Sequence, residues 1–403
     1  MGCASPAATS ATDSIPVRAP VEGRDLHTAN DRSKHTAKVI DRSGAVAEVA
    51  QLPPMGWNSW NAFRSDINEQ VIKEIVEAML DSGLVDAGYV YINIDGGWRI
   101  DDATQPDPER FPSGMKAMAD YVHSKGLKFG LYTGGDSVGN EARDAQIMAD
   151  YGVDFLKNDA YRTKSTDPYW EKMHKAVLST GRPIFHSIHF NDEGTNPPNI
   201  AKMGHMWRIT NDIRDYYKQE SVPEDITNWA FSTLKIVDRM AEVTHMIEPG
   251  SWADPDMLEI GNGNQTIDEY KTQFTMWCLL PAPLLMGHDV RTMSDAILDL
   301  LTNEEIIAVN QDPAALPAQR RIKTDDYQLW TRELADGDLC VALLQTTPQA
   351  RELRFTWDEI GLDRNETARI RDLWAHEDLG TFVNHFSIHV NPHGAAMLRL
   401  QFD

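Results

Sequence analysis

The chain has 403 residues, of which 41% are hydrophobic and 25% charged, and it carries a formal net charge of −23. This is enough apolar material for a large core, while the acidic balance excludes a nucleic-acid partner, which needs clustered Lys and Arg. No run reaches the roughly 18 apolar residues of a membrane-spanning helix. The three cysteines, Cys3, Cys278 and Cys340, form neither a disulfide framework nor a metal-ligand pattern.

Residues 1–51 are polar and aperiodic and read as a flexible leader and linker. They open with "MGCASPAATSATDS", where Pro6 breaks the myristoylation pattern. Two readings stay open for this stretch. Either Cys3 is the lipid-bearing residue of a bacterial lipoprotein, in a secreted or periplasmic enzyme, or the segment is an unmodified tail.

From Pro53 short apolar runs, each ending in polar or glycine residues, alternate with helical segments. The runs are "PPMGWNSW", "YVYINIDGG", "KFGLYTGG", "VDFLKND", "RPIFHSIHF", "HMWRITND", "WADPDML" and "PLLMGHD". Between the first two, Val71, Ile72, Ile75, Val76, Met79 and Leu80 form one apolar stripe at helical spacing. Asp66 with Glu69 predicts the start of that helix and Gly83 its end. Residues 223–247 and "AILDLLTNEEIIAV" read as further helices. Eight such alternations over residues 52–316 predict an α/β fold, a (β/α)8 TIM barrel. A doubly wound sheet fits less well, since no Gly-rich phosphate fingerprint follows the first strand.

After Leu316 the helical period disappears. "YQLWTREL" and "LCVALLQ" flank the turn "ADGD", and "FSIHVNPHGAAMLRLQ" reads as two closing strands around a Pro–Gly turn. Residues 317–403 are therefore expected to form a C-terminal antiparallel β-domain. Cys278 and Cys340 sit in apolar runs and read as buried, inert thiols.

In a barrel all strand C-terminal ends face one site. Trp60, Asp95, Tyr132, Lys157, Asp159, His186, His189, Arg208, Asp212, Asp256 and Asp289 occupy those ends. The set lacks H-x-H and H-E-x-x-H, so no metal is expected, and it lacks the G-x-S-x-G elbow of serine chemistry. His186 and His189 would point to opposite faces of their strand, as hydrogen-bonding rather than ligating groups. Paired carboxylates with tryptophans are suited to cleaving a glycosidic bond, where one acid protonates the leaving oxygen and one carboxylate captures the cationic sugar carbon. Lys157 and Asp159, two apart, share a face, and the ammonium would keep Asp159 ionised as a nucleophile. Arg208 and Asp212 are expected on one face if the strand stays regular, with Asp212 holding a proton in a partly dry setting as the general acid.

The motifs "PPMGWNSWNAF", "YINIDGGW", "GLKFGLYTGG", "GVDFLKNDA", "WADPDMLEIGNG", "APLLMGHDVR" and "EEIIAVNQDP" resemble, in order, those of glycoside hydrolase family 27, the α-galactosidases and α-N-acetylgalactosaminidases. The resemblance runs from about Pro53 to the C-terminus. It implies a (β/α)8 barrel with a C-terminal β-sandwich, retention of configuration, and no metal or other cofactor. It implies Asp159 as nucleophile and Asp212 as acid/base, with Trp60, Asp95, Tyr132, Lys157, His189, Arg208 and Asp256 binding the sugar. His189 falls where relatives read the sugar's 2-position, and Asp254 reads as a turn or N-cap residue before Pro255. The implied partner is an α-linked oligo- or polysaccharide.

The chain departs from the family in three places. Gly97 and Tyr161 stand where eukaryotic members carry cysteines, which suits a bacterial origin. Gly96 stands where relatives have a second aspartate beside Asp95, so the family's galactose grip loses one charge-assisted hydrogen bond, about 1.5–3 kcal/mol. Removing that side chain is also expected to open space. The reading is an exo-acting α-galactosidase. The alternatives are an isomaltose-releasing dextran hydrolase, a β-L-arabinopyranosidase, a transglycosidase or, from another class, a non-catalytic sugar-binding protein.

Overall fold

A computed structural model describes residues 49–100, 104–134, 137–159, 167–189 and 199–402. Cys3, its proposed anchor and Tyr161 lie outside the described residues. Within them no helix is long and apolar enough to cross a membrane.

Eight parallel strands form the first sheet: β1 (Met55–Asn58), β2 (Tyr91–Ile94), β3 (Lys128–Gly134), β4 (Phe155–Asp159), β5 (Phe185–Ile188), β6 (Met206–Arg208), β7 (Trp252–Asp254) and β8 (Leu284–Met286). Hydrogen bonding runs in the order β7-β6-β5-β4-β3-β2-β1-β8. The barrel closes beyond the end of β7. Pro255 removes a backbone donor there, Asp256 turns the chain with φ 72, and Leu258 then makes the parallel bridge to Met286.

Helices cover the outer face of the strands. Helix Glu69–Asp81 buries Ile72, Ile75, Val76 and Met79, the inner part of the stripe read from the sequence. Its cap is Asn68, which accepts the Val71 N–H, rather than Asp66. The helix expected over residues 223–247 is shorter, Thr233–Val243, because Ser232 caps it by accepting the Lys235 N–H. "AILDLLTNEEIIAV" is two helices, Asp295–Leu301 and Glu304–Asn310, divided where Asn303 caps the second through the Ile306 N–H.

The C-terminal part is antiparallel. A six-stranded sheet runs β14-β13-β16-β11-β10-β9, and β12 pairs with β15 in a second sheet. Here β9 is Gln319–Lys323, β10 Tyr327–Glu333, β11 Leu339–Gln345, β12 Arg351–Thr356, β13 Thr367–Asp372, β14 Glu377–Val383, β15 His385–Val390 and β16 Ala395–Phe402. The "ADGD" turn joins β10 and β11 as a hairpin. The strands around the Pro–Gly turn do not pair with each other, because β15 joins β12 while β16 lies between β11 and β13.

Side-chain alternation shows how the sheet meets the barrel. Trp330, Cys340, Ala342, Leu344 and Met397 join the barrel's core, whereas Leu329, Val341, Leu343 and Leu398 belong to a second core under β12 and β15. All seven residues of β11 are buried as a result. Cys278 and Cys340 are buried free thiols, and burial pushes Cys340 up to about 12.

Candidate active site

The acid at the end of β2 is fixed from three sides. Asp95 Oδ2 accepts the Lys157 Nζ at 2.6 Å and the Asn58 Nδ2 at 3.0 Å, and Oδ1 accepts the Gly96 N–H at 2.8 Å. The space beside Asp95 is narrower than expected. A Cβ on Gly96 would lie 3.1 Å from Cζ3 of Trp60, a tight contact, so the indole borders the gap that the missing side chain leaves. Gly97 has a different constraint: its φ is 97, and a Cβ there would sit 2.6 Å from the Ser65 carbonyl oxygen.

On β4, Lys157 and Asp159 face the same side, as their spacing predicts. Burial opposes the charge of Lys157, but Asp95 and Asp159 outweigh it and raise its pKa. Asp159 Oδ1 lies 2.9 Å from His189 Nδ1, just beyond β5. Burial would raise the Asp159 pKa, yet His189, Lys157 and Arg208 together hold it below the usual carboxylate range. The Tyr132 ring stands 5.8 Å from Lys157 Nζ, and burial, then Asp159 and Asp95, raise its hydroxyl pKa.

His186 belongs to the other side of β5. Its Nδ1 meets Nδ1 of His174, on helix Asp167–Ser179, at 3.2 Å, and its backbone N–H donates to His205 Nδ1 at 2.9 Å. It takes no part in this cluster. Asp289 is also apart, paired with Arg291 at 2.7 Å beyond β8.

Arg208 ends β6, and the strand does not continue regularly to Asp212. The loop returns instead, bringing Asp212 Oδ1 to 3.3 Å from Arg208 Nη2, whose stronger partner is Asp256 Oδ2 at 2.9 Å. The second Asp212 oxygen accepts Arg214 Nη2 at 3.1 Å. Burial would raise the Asp212 pKa, but Arg208 and Arg214 lower it well below the carboxylate range. The two arginines thus oppose the protonated form that a dry setting alone would favour.

Asp256 is used internally. Besides Arg208 it accepts the Ile213 N–H at 2.8 Å and the Met257 N–H at 2.9 Å, in a left-handed conformation with φ 72. Asp254 is the turn residue it was expected to be, accepting the Asp256 N–H at 2.8 Å. It is also a buried acid whose pKa is pushed up chiefly by burial, against the pull of Arg208.

The structure thus gathers Trp60, Asp95, Tyr132, Lys157, Asp159, His189, Arg208, Asp212 and Asp256 at the strand C-terminal ends. Two carboxylates in a shared cationic field, Asp159 beside His189 and Asp212 beside Arg214, with aromatic rings near them, can divide nucleophilic and proton-transfer work. Among the described residues no group of three or more His, Cys, Asp or Glu is arranged to hold a metal ion.

Comparison with known proteins places this arrangement. Residues 52–312 match the family described as Alpha galactosidase A, and residues 324–400 match the Alpha galactosidase C-terminal beta sandwich domain. The chain belongs to glycoside hydrolase family 27. This hydrolase is 38% identical over 397 residues to an alpha-galactosidase of Cyamopsis tetragonoloba, covering 93% of each chain. Its fold is similar to that of alpha-galactosidase I from Mortierella vinacea, with TM-score 0.83, 32% identity, and coverage of 89% of this chain and 98% of that one. It is similar also to the Saccharomyces cerevisiae alpha-galactosidase solved with raffinose, with TM-score 0.81, 26% identity, and coverage of 90% and 100%.

Sequence reasoning missed three groups. Asn58 ends β1 as Asp95 follows β2, so the strand-end rule that found Asp95 could have found it. Arg214 lies in an irregular loop, where no period signals which way a side chain points. Glu259, buried with its pKa pushed up to about 8 by burial and then by Asp215, accepts Nδ2 of Asn61 and of Asn262. It ties the loop after β7 to the turn that carries Trp60.

Proposed function

We propose that this family 27 hydrolase is a retaining, exo-acting α-galactosidase acting on α-linked oligo- or polysaccharides. The observation that carries the proposal is two acids in one cationic field, each with a partner of its own: Asp159 Oδ1 lies 2.9 Å from His189 Nδ1, and Asp212 Oδ2 accepts Arg214 Nη2 at 3.1 Å, while Lys157 and Arg208 act on both. Asp159, ionised and backed by cations, attacks the anomeric carbon. Asp212 gives its proton to the leaving oxygen, and later takes one from the water that hydrolyses the glycosyl-enzyme. Because the arginines disfavour that proton in the free pocket, the protonated fraction of Asp212 grows as pH falls. Asp95 and Lys157 would hold sugar hydroxyls, Tyr132 and Trp60 would pack on the ring, and the Trp60 indole replaces the second carboxylate as an apolar wall beside Asp95. The named α-galactosidase relatives support galactose as the glycone.

The test is release of 4-nitrophenol from the α-D-galactoside, α-D-glucoside, α-N-acetylgalactosaminide and β-L-arabinopyranoside, with Asp159→Asn as control. Turnover of the α-galactoside, abolished by Asp159→Asn, is expected. Turnover only of another glycoside would overturn the choice of sugar, and turnover surviving in Asp159→Asn would overturn the nucleophile.

We further propose that residues 52–316 carry the chemistry, that 317–403 form the β-domain, and that 1–51 are the leader and linker of a secreted or periplasmic bacterial enzyme with Cys3 lipidated. An unmodified Cys3 in the mass spectrum of the natively expressed chain would overturn the anchor.

A further inference from the structure

The loop that follows β6 carries Asp212 and is fastened by different parts of the protein along its length. Near the acid it pairs with its own return path: the Phe231 N–H donates to the Asp212 carbonyl and the Arg214 N–H to the Phe231 carbonyl, both at 2.9 Å. Asp215 is clamped by the segment that opens helix Ile267–Leu279. Its Oδ2 accepts the Asn264 N–H at 2.7 Å and the Tyr270 hydroxyl at 2.9 Å, and its Oδ1 accepts Gln265 Nε2 at 2.9 Å. Tyr217, buried at 4% exposure, reaches instead into the β-domain. Its hydroxyl donates to the Gln345 carbonyl of β11 at 3.2 Å, and its ring stacks on that of His393 with centroids 4.7 Å apart and 25° between planes.

His393 sits in the turn between β15 and β16, and its ring is engaged twice. One face meets Tyr217, while Nδ1 lies 2.7 Å from Glu269 Oε1. The other Glu269 oxygen accepts the Thr266 N–H at 2.8 Å and closes the capping box of helix Ile267–Leu279. The residue that orients His393 therefore belongs to the same helix start that clamps Asp215. The His393 backbone is strained: φ is 55, a left-handed conformation that glycine adopts freely and histidine does not. A turn that served only to reverse the chain would be better made with glycine, and strain of this kind is often stored where function needs it.

We propose that His393 is a positioning residue for the acid/base. Held by Glu269, its ring fixes Tyr217, and with it the far end of the loop that presents the Asp212 carboxyl. The proposal rests on the glycosidase reading above and deepens it, because the β-domain then shares in proton transfer although His393 is none of the groups gathered at the strand ends. A general acid works only within hydrogen-bond reach of the leaving oxygen, and a shift of about 1 Å can cost about a hundredfold in rate.

The test compares kcat/KM for two substrates that differ in their need for a proton, phenyl and 2,4-dinitrophenyl α-D-galactoside. Phenoxide is a poor leaving group unless protonated, whereas 2,4-dinitrophenoxide departs without a proton. The phenyl-to-dinitrophenyl ratio is independent of the fraction of active protein, so a variant that merely folds poorly does not move it. Asp212→Asn sets the scale and is expected to lower the ratio by about a hundredfold or more. An unchanged ratio in Asp212→Asn would overturn the acid/base reading itself. His393→Gly, which relieves the backbone and removes the ring, is expected to lower the ratio about tenfold, and Tyr217→Leu to a similar extent. The double variant is expected to fall no further than either single one, because the two rings act as one contact. With the Asp212→Asn effect in place, an unchanged ratio in His393→Gly would overturn the positioning role, even if both activities decline. A double variant whose losses multiply would overturn it as well, since the two residues would then act separately.

Discussion

Arg208 and Arg332 are both buried, 3% and 1% exposed, yet they are held by opposite kinds of partner. Arg208 faces Asp256 at 2.9 Å and Asp212 at 3.3 Å, and despite burial these carboxylates raise its pKa. Arg332, on β10, donates to the carbonyls of Val309 at 2.6 Å, Leu316 at 3.0 Å and Cys278 at 3.3 Å. Burial pushes its pKa down to about 10, with only weak help from Asp312. Val309 and Cys278 lie at the C-terminal ends of helices Glu304–Asn310 and Ile267–Leu279, where carbonyls lack intrahelical donors and a cation is favoured. The same side chain at the same depth is thus a retained charge among acids in one place and a cap in the other. The first can re-share its donors with sugar hydroxyls. The second has no reason to let go.

The largest expected effect follows from the first role. Arg208→Lys loses the guanidinium whose Nη2 faces both Asp256 and Asp212, and should lower kcat/KM on 4-nitrophenyl α-D-galactoside on the order of 10²–10³-fold. A loss below fivefold would break the comparison. Arg332→Met should do the reverse. Leaving helix-end carbonyls buried and unpaired should lower the unfolding free energy by about 2–4 kcal/mol in a urea titration, with kcat/KM per folded molecule unchanged.

A smaller effect comes from Gly96. Restoring the family's carboxylate with Gly96→Asp should not improve the enzyme but lower kcat/KM about tenfold, since the new Cβ would meet Trp60 at 3.1 Å. A gain in activity would show that the indole yields.

The smallest effect concerns the buried histidines behind β5, where His174 Nδ1 meets His186 Nδ1 at 3.2 Å. Burial lowers the His174 pKa to about 4, from an unfolded value near 6.5. The unfolded chain binds the proton more readily between those values, so stability declines as pH falls from about 6.5 toward 4. His174→Leu should remove about 1 kcal/mol of the stability difference between pH 8 and pH 6. Denaturant midpoints at the two pH values measure it, and an unchanged difference would place the proton elsewhere in the cluster.

Much of this architecture is legible in the chain because burial has a period. The stripe from Val71 to Leu80 marks a helix, and the runs of β2 and β4 stop at Asp95 and Asp159, which face the site, although that of β8 stops at Asp289, which does not. Lys157 and Asp159 lie within a regular strand, so their shared face follows from spacing alone. Legibility fails where the backbone leaves a regular path. Asp212 reaches Arg208 through a loop, and Arg214 joins them from a position with no periodic meaning. Gly96 shows another limit. The missing side chain is visible in the sequence, but the Trp60 ring that borders its place belongs to a residue 36 positions away. The split in "AILDLLTNEEIIAV" was detectable, because Asn303 is a capping residue before Glu304 and Glu305.

The seam between barrel and β-domain also bears on how the protein is made. Met397, on the final strand, belongs to the barrel's own core, and β16 pairs with β11 along the wall that the barrel's helices pack against. A ribosome releases the C-terminus last, so the barrel emerges with part of its apolar surface still uncovered. Until β16 has emerged, the barrel lacks Met397 and keeps exposed a face that the folded protein covers.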